Sequence, residues 1–178
     1  FQASDNGSLN LTIPIFITAR TNSTRLPRKH FLKLGSISVI EHIVRRCQHF
    51  GFKPYLCVPS GQQEEFAEHT SCKDIFGGDA ENVLERIFKC AKKFKIKRFH
   101  QLDGDDPFFC GNDIGQMIFN TEGNGIVRPS IYSQSGPARH GTYYVLDAEN
   151  GVGEKTYNPK PENLPWPMRL TLDYEEDY

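Results

Sequence analysis

The sequence predicts an α/β fold with a largely parallel sheet. Three observations carry that expectation. Short apolar runs alternate with segments of helical period, the pattern of strands joined by crossover helices. Two of the helical segments repeat one amphipathic phase: Val39, Ile40, Ile43, Val44, Cys47 and Phe50, then Val83, Leu84, Ile87, Phe88, Ala91 and Phe94. Polar blocks rich in Gly, Asp and Arg follow the apolar runs and do not interrupt them. Loops at the carboxyl ends of parallel strands are where ligands bind in such sheets.

In chain order, Ile13-Pro14-Ile15-Phe16-Ile17 reads as the first strand. Ser38 is an N-cap candidate for the first helix, and Gly51 is placed to end it. Tyr55-Leu56-Cys57-Val58 is the next strand, followed by a short helix starting at Ser60 with Gln63 completing a capping box. Ile75-Phe76, the second long helix, and Arg98-Phe99-His100-Gln101-Leu102 continue the alternation. A further helix starts at Asn112, a strand runs through Ile126-Val127, and Met168-Arg169-Leu170-Thr171-Leu172 is the last strand. Residues 129–167 differ, being rich in Gly, Pro, Ser and Asn with one strand or hairpin at 142–146. They read as a loop-rich insert of the kind that carries substrate contacts or a homodimer interface, not as a second domain. Residues 1–11 are polar and read as a leader or tag remnant, without the pattern of a signal peptide, so that 12–178 form one domain.

A chain of 178 residues with 38% hydrophobic and 24% charged residues suits one globular domain with a real core. The net charge of −1 provides no global field for nucleic acid or a membrane surface, so any anion site is local. No apolar run has the length of a membrane span. The five cysteines are odd in number and form no Cys-x-x-Cys clip, which fits reduced thiols in a cytoplasmic protein. The six histidines are scattered, which disfavours zinc.

The segment from Ala19 to Lys29 holds four cations, Arg20, Arg25, Arg28 and Lys29, with the hydroxyls of Thr21, Ser23 and Thr24. It follows the first strand and has no regular period. Guanidinium forks, an ammonium, hydroxyls and backbone N–H groups together form a cradle for a polyanion. The plain alternative is a solvated basic turn. Arg20 and Lys29 are assigned to phosphates, and Ala19, Asn22 and Ser23 to other parts of a nucleotide. Arg25 either joins them or holds the loop through a carboxylate. Gly78 would allow close approach of a base or ribose, and Asp79 is an acceptor or a helix cap.

Asp103-Gly104-Asp105-Asp106-Pro107 concentrates carboxylates after a strand. Adjacent carboxylates repel unless a cation offsets them, and Mg²⁺ needs few protein ligands when phosphate and water complete its octahedron. The alternative is a solvated Asp-Gly turn. An EF-hand is excluded, because Phe108 and Ile114 stand where its Gly and Glu belong. Asp173, the first residue after the last strand, is the better ligand of the second acidic group, 173–177.

Four blocks in this order are Ala19–Lys29, Phe76–Leu84, Leu102–Pro107 and Arg169–Asp177. Together they resemble the cytidylyltransferases that activate acidic sugars: SpsF-type proteins most of all, and CMP-Kdo and CMP-sialic acid synthetases. The resemblance implies a three-layer α/β/α nucleotidyltransferase domain, similar to nucleotide-diphosphosugar transferases. It implies transfer of CMP from CTP to an acidic-sugar acceptor with release of pyrophosphate, for surface polysaccharide or glycan synthesis. It also implies Mg²⁺ on Asp105 and Asp173, catalysis by Arg20, Lys29 and Asp105, and Asp103 at the nucleotide. Arg28 and Asn22 depart from the family, which has Gly at both places. Two alternatives remain open: a metal-dependent glycosyltransferase of similar fold, and a degenerate nucleotide-binding or scaffold protein.

Two motifs are set aside. Gly151-Val152-Gly153-Glu154-Lys155-Thr156 is similar to a P-loop, but Glu154 replaces the Gly before Lys-Thr and no strand is expected before it. Lys92 to Arg98 reads as a cationic helix end, not a nucleic-acid patch. His140, in a Gly/Pro-rich loop, reads as a surface histidine.

Overall fold

A computed structural model describes residues 12–119, 126–129, 141–146 and 154–157. Strand β1 (Pro14–Thr18) is flanked by β4 (Lys53–Pro59) and β6 (Arg98–Asp103), and β5 (Ile75–Gly78) lies outside β4. These four strands are parallel. Beyond β6 come β8 (Thr142–Val145), antiparallel to it, then β7 (Ile126–Pro129) and β9 (Glu154–Tyr157), which pair in parallel. The sheet order is β5-β4-β1-β6-β8-β7-β9. Thus 142–145 and 154–157 of the expected insert contribute strands to the main sheet. The strand at 154–157, which contains the P-loop-like Glu154-Lys155-Thr156, was not expected.

The strands sort their side chains by the two-residue period of a pleated sheet. Ile15, Ile17, Leu56, Val58 and Leu102 pack with α1 (Val39–His49) and with Ile114 of α4 (Gly111–Phe119) on one face. Phe16, Tyr55, Cys57 and Phe99 pack with α3 (Val83–Phe94) on the other. The result is three layers with a mostly parallel sheet, as the sequence predicts. Burial on both faces explains why these strands read as continuous apolar runs. The Phe16 ring stacks on Phe99 at 4.2 Å and meets the edge of Tyr55 at 5.5 Å.

The helix ends follow local chemistry. Ser38 Oγ accepts from the Glu41 N–H at 3.2 Å, the predicted N-cap of α1. Gly51 takes φ 77°, and the Phe52 N–H returns to the Cys47 carbonyl at 2.9 Å, so α1 ends in a Schellman motif. The capping box at Ser60 does not form: α2 is the short helix Gln63–Ala67, without a side-chain cap. The Ser60 N–H instead donates to the Gly78 carbonyl at 2.8 Å, extending β4 toward β5 and delaying the helix. A small hairpin, β2 (Lys33–Leu34) and β3 (Ile37–Ser38), was also unexpected.

Helix α3 has the predicted span with a different phase. Leu84 and Phe88, placed in the apolar stripe, are 50% and 38% exposed, while Arg86, Ile87, Cys90 and Ala91 are buried. Asn82 Oδ1 caps it, and Asp79 Oδ1 organises the preceding turn by accepting from the Glu81 and Asn82 N–H groups. The last expected strand, 168–172, lies outside the described residues. Among the described residues no helix is long and apolar enough to cross a membrane. All five cysteines are free.

Candidate active site

Adjacent parallel strands end together, and that sets the site. In the β1–β6 pairing Thr18 lies opposite Asp103, so the basic and acidic loops leave the sheet side by side. The Gly104 N–H donates to the Thr18 carbonyl at 2.9 Å. A Cβ on Gly104 would meet that carbonyl at 2.9 Å and the Ala19 Cβ at 3.0 Å, so this approach requires glycine.

Lys29 and His30 then stitch the two loops. Lys29 Nζ pairs with Asp105 Oδ2 at 2.5 Å, with side chains only 8% and 17% exposed. His30 Nδ1 lies 2.8 Å from the Gly104 carbonyl. A carbonyl only accepts, so Nδ1 carries the proton. Burial pulls the His30 imidazole down from its ordinary value to about 4, so the ring is neutral at physiological pH. Asp103 is oriented as well: its Oδ1 accepts from Gln101 Nε2 at 2.9 Å and from Thr18 Oγ1 at 3.3 Å.

The basic loop is closed by the Arg28 N–H on the Thr21 carbonyl at 3.0 Å and steadied by the Thr21 N–H on Gln62 Oε1 at 3.0 Å. Arg28 adopts φ 57°, the left-handed conformation natural to glycine. Its guanidinium pairs with Glu65 and lies over the Phe31 ring at 5.1 Å. Arg28 therefore anchors the loop on its outer side.

A cavity of about 350 Å³ opens between the loops and the start of α3. Of the residues singled out in the sequence, Ala19, Arg20, Ser23, Arg25, Lys29, Asp103 and Asp105 line it. Asn22 and Asp79 are exposed and, with Gly78, lie outside its lining. Asp173 lies outside the described residues. The lining also includes Thr24, a hydroxyl of the expected cradle, and Thr18, His30, Val83, Arg86 and Gly104, to which the sequence assigned no role at the site. The signal for Arg86 was present: it shares a helical face with Val83 and Cys90, a cation within an apolar stripe.

The carboxylates of Asp103, Asp105 and Asp106 offer oxygens within 4.8 Å of one another. Asp105 Oδ1 is buried without a hydrogen-bond partner, an uncompensated acceptor that suits a cation. All-oxygen donors of this kind match a hard divalent ion. Cations and carboxylates thus face one cavity at the carboxyl ends of β1 and β6.

With that geometry in place, comparison with known proteins is decisive on one point. A family profile described as Cytidylyltransferase matches residues 15–161. The chain belongs to the cytidylyltransferase family. The spore coat polysaccharide biosynthesis protein SpsF of Bacillus subtilis (strain 168) is 31% identical over 105 residues. That match covers 54% of this chain and 44% of the relative, so the chain spans under half the length of the curated protein it matches. A cytidylyltransferase from Leptospira borgpetersenii is similar in structure, with TM-score 0.76 and 19% identity over 94% of this chain and 83% of that one. The CMP:2-keto-3-deoxy-manno-octonic acid synthetase solved with CTP has TM-score 0.62 and 13% identity over 83% of this chain and 90% of its own. At these identities the structural likenesses establish the cytidylyltransferase fold.

Proposed function

We propose that the protein transfers CMP from CTP to a hydroxyl of an acidic sugar, releasing pyrophosphate, with Mg²⁺ at the acidic loop. The observation that carries this reading is the Lys29–Asp105 pair. It sets the basic loop's ammonium directly against the acidic loop's carboxylate at the wall of one cavity, so a phosphate entering there meets both the ammonium and any cation that the carboxylate holds. In the reaction the acceptor hydroxyl gives up its proton to solvent and its oxygen attacks the α-phosphorus. The bond from that phosphorus to the oxygen linking it to the β-phosphorus breaks, and that oxygen departs with pyrophosphate, on which negative charge collects. Arg20 and Lys29 face that charge and stabilise it in place, so catalysis is positioning plus electrostatics. Asp105 and Asp103 would hold the metal, joined by Asp173. Mg²⁺, when bound, neutralises phosphate charge and orients the oxygens. Lys29 exchanges its carboxylate partner for phosphate as the nucleotide enters.

The family resemblance supports this acceptor class, and a structurally similar synthetase is named for a 2-keto acid sugar. A carboxylate-bearing sugar places a further anion at a cavity already rich in cations. A cytoplasmic homodimer serving surface polysaccharide synthesis belongs to the same reading. The test is pyrophosphate release from CTP and Mg²⁺ over a panel of acidic 2-keto sugars. Release dependent on one of them supports the assignment. Transfer from a nucleotide sugar, with no release from CTP, would point instead to a glycosyltransferase.

A further inference from the structure

Arg86 occupies the first turn of α3 and is 2% exposed. Its stem fills the space that glycine leaves at Gly78, where a Cβ would meet Arg86 Cγ at 2.8 Å. Its Nη1 donates to the Asp79 carbonyl at 2.7 Å and to the Ala80 carbonyl at 3.4 Å. Its Nε is buried and makes no hydrogen bond. Among the described residues no carboxylate reaches it at salt-bridge distance. The side chain nevertheless lines the cavity together with Arg20, Arg25 and Lys29.

This is a costly arrangement for a helix clamp. A guanidinium stays charged, so burial cannot be relieved by losing a proton. Burial, with the like charge of Arg20 added, works against the cation, and the carboxylates of Asp79 and Glu81 offset it only from beyond salt-bridge distance. Two carbonyls engage one of its nitrogens, whereas a guanidinium carries five N–H donors. Holding a turn would need neither the charge nor the approach to the cavity. A polyanion in the cavity supplies the missing counter-charge, and the other cations at the same space arrive from the basic loop on the opposite wall.

Resting on the reading that the cavity holds a nucleoside triphosphate, we propose that Arg86 is a phosphate-binding residue that closes the cradle from the α3 side. The glycine at 78 leaves room for the arginine stem, with the guanidinium beyond it, and for the Phe76 ring, since a Cβ there would meet each at 2.8 Å.

Calorimetric titration of wild type, Arg86→Met and Arg86→Lys with CTP, CMP, cytidine and tripolyphosphate, in Mg²⁺, tests this. Arg86→Met should weaken CTP and tripolyphosphate on the order of ten- to a hundredfold, CMP less, and leave cytidine unchanged. Arg86→Lys keeps the charge, loses the fork, and should show a smaller loss in the same order. It also serves as the test if the methionine variant does not fold. Equal losses for CTP and cytidine would make Arg86 a clamp of the 79–80 turn and overturn the proposal, as would unchanged tripolyphosphate binding. Wild type binding tripolyphosphate but no cytidine nucleotide would contradict the cytidylyl assignment alone, and the tripolyphosphate arm would still decide on Arg86.

Discussion

Lys29 and Asp105 pair at 2.5 Å with both side chains largely buried, so each variant takes a buried ionic partner from the other. Breaking such a pair from one side costs on the order of 3–5 kcal/mol. Lys29→Met and Asp105→Asn are therefore each expected to lower stability without ligand. The double variant should lose clearly less than the sum, a coupling that denaturant titration of all four proteins measures. In catalysis, loss of the Lys29 charge should reduce turnover roughly 30- to 1,000-fold, about 2–4 kcal/mol of transition-state stabilisation. A rise in the Michaelis constant for CTP with turnover preserved would make Lys29 an anchor only. His30 adds a pH dependence with a fixed sign. Its folded value of about 4 lies below the ordinary 6.5, so the unfolded chain binds the extra proton between them. Stability is full above about pH 6.5 and falls as pH drops toward 4, by on the order of 3 kcal/mol at most. Urea midpoints at pH 7 and 5 without metal should show this drop in wild type and a smaller one in His30→Gln.

At the scale of elements, the junction of β1 and β6 is where backbone approaches backbone. Gly104→Ala puts a methyl against the Thr18 carbonyl and the Ala19 Cβ, and neither strand can yield without loosening the register that aligns the loops. It should cost roughly 1–3 kcal/mol, by the rule for overpacked sites. Gly61→Ala is the control: φ is 91° with open space around the Cβ, so only about 1–2 kcal/mol of backbone strain is at stake. Equal melting temperatures for Gly104→Ala and wild type would mean that the loops are not held as described. Several elements were legible in the sequence because their signals are local: the Ser38 cap, the Gly51 stop and the apolar runs of β1, β4 and β6. Others were not. The strands β2 and β3 have two residues each, too few to display a period. The start of α2 is decided by a bond from Ser60 to Gly78 on another strand. The phase of α3 is decided by Arg86 turning inward, against what hydrophobicity alone selects for Leu84 and Phe88.

For the whole molecule, parallel strands deliver their following loops to one edge, and the first and third of the four polar blocks line one cavity there, while Gly78 and Asp79 lie outside its lining and Asp173 outside the described residues. The basic loop and the acidic loop meet there. What the linear order could not disclose is which side of a loop each cation faces. Arg28 turns outward to Glu65 and Phe31 from a left-handed backbone, while Arg25 lines the cavity. The central claim is that this cavity selects CTP. Thermal unfolding with Mg²⁺ and each of CTP, ATP, GTP and UTP tests it most directly, since a ligand that binds only the folded chain raises its stability by mass action. CTP should raise the melting temperature more than the other three, and Asp105→Asn should reduce that shift. Equal shifts for all four nucleotides, or none with CTP, would contradict the account.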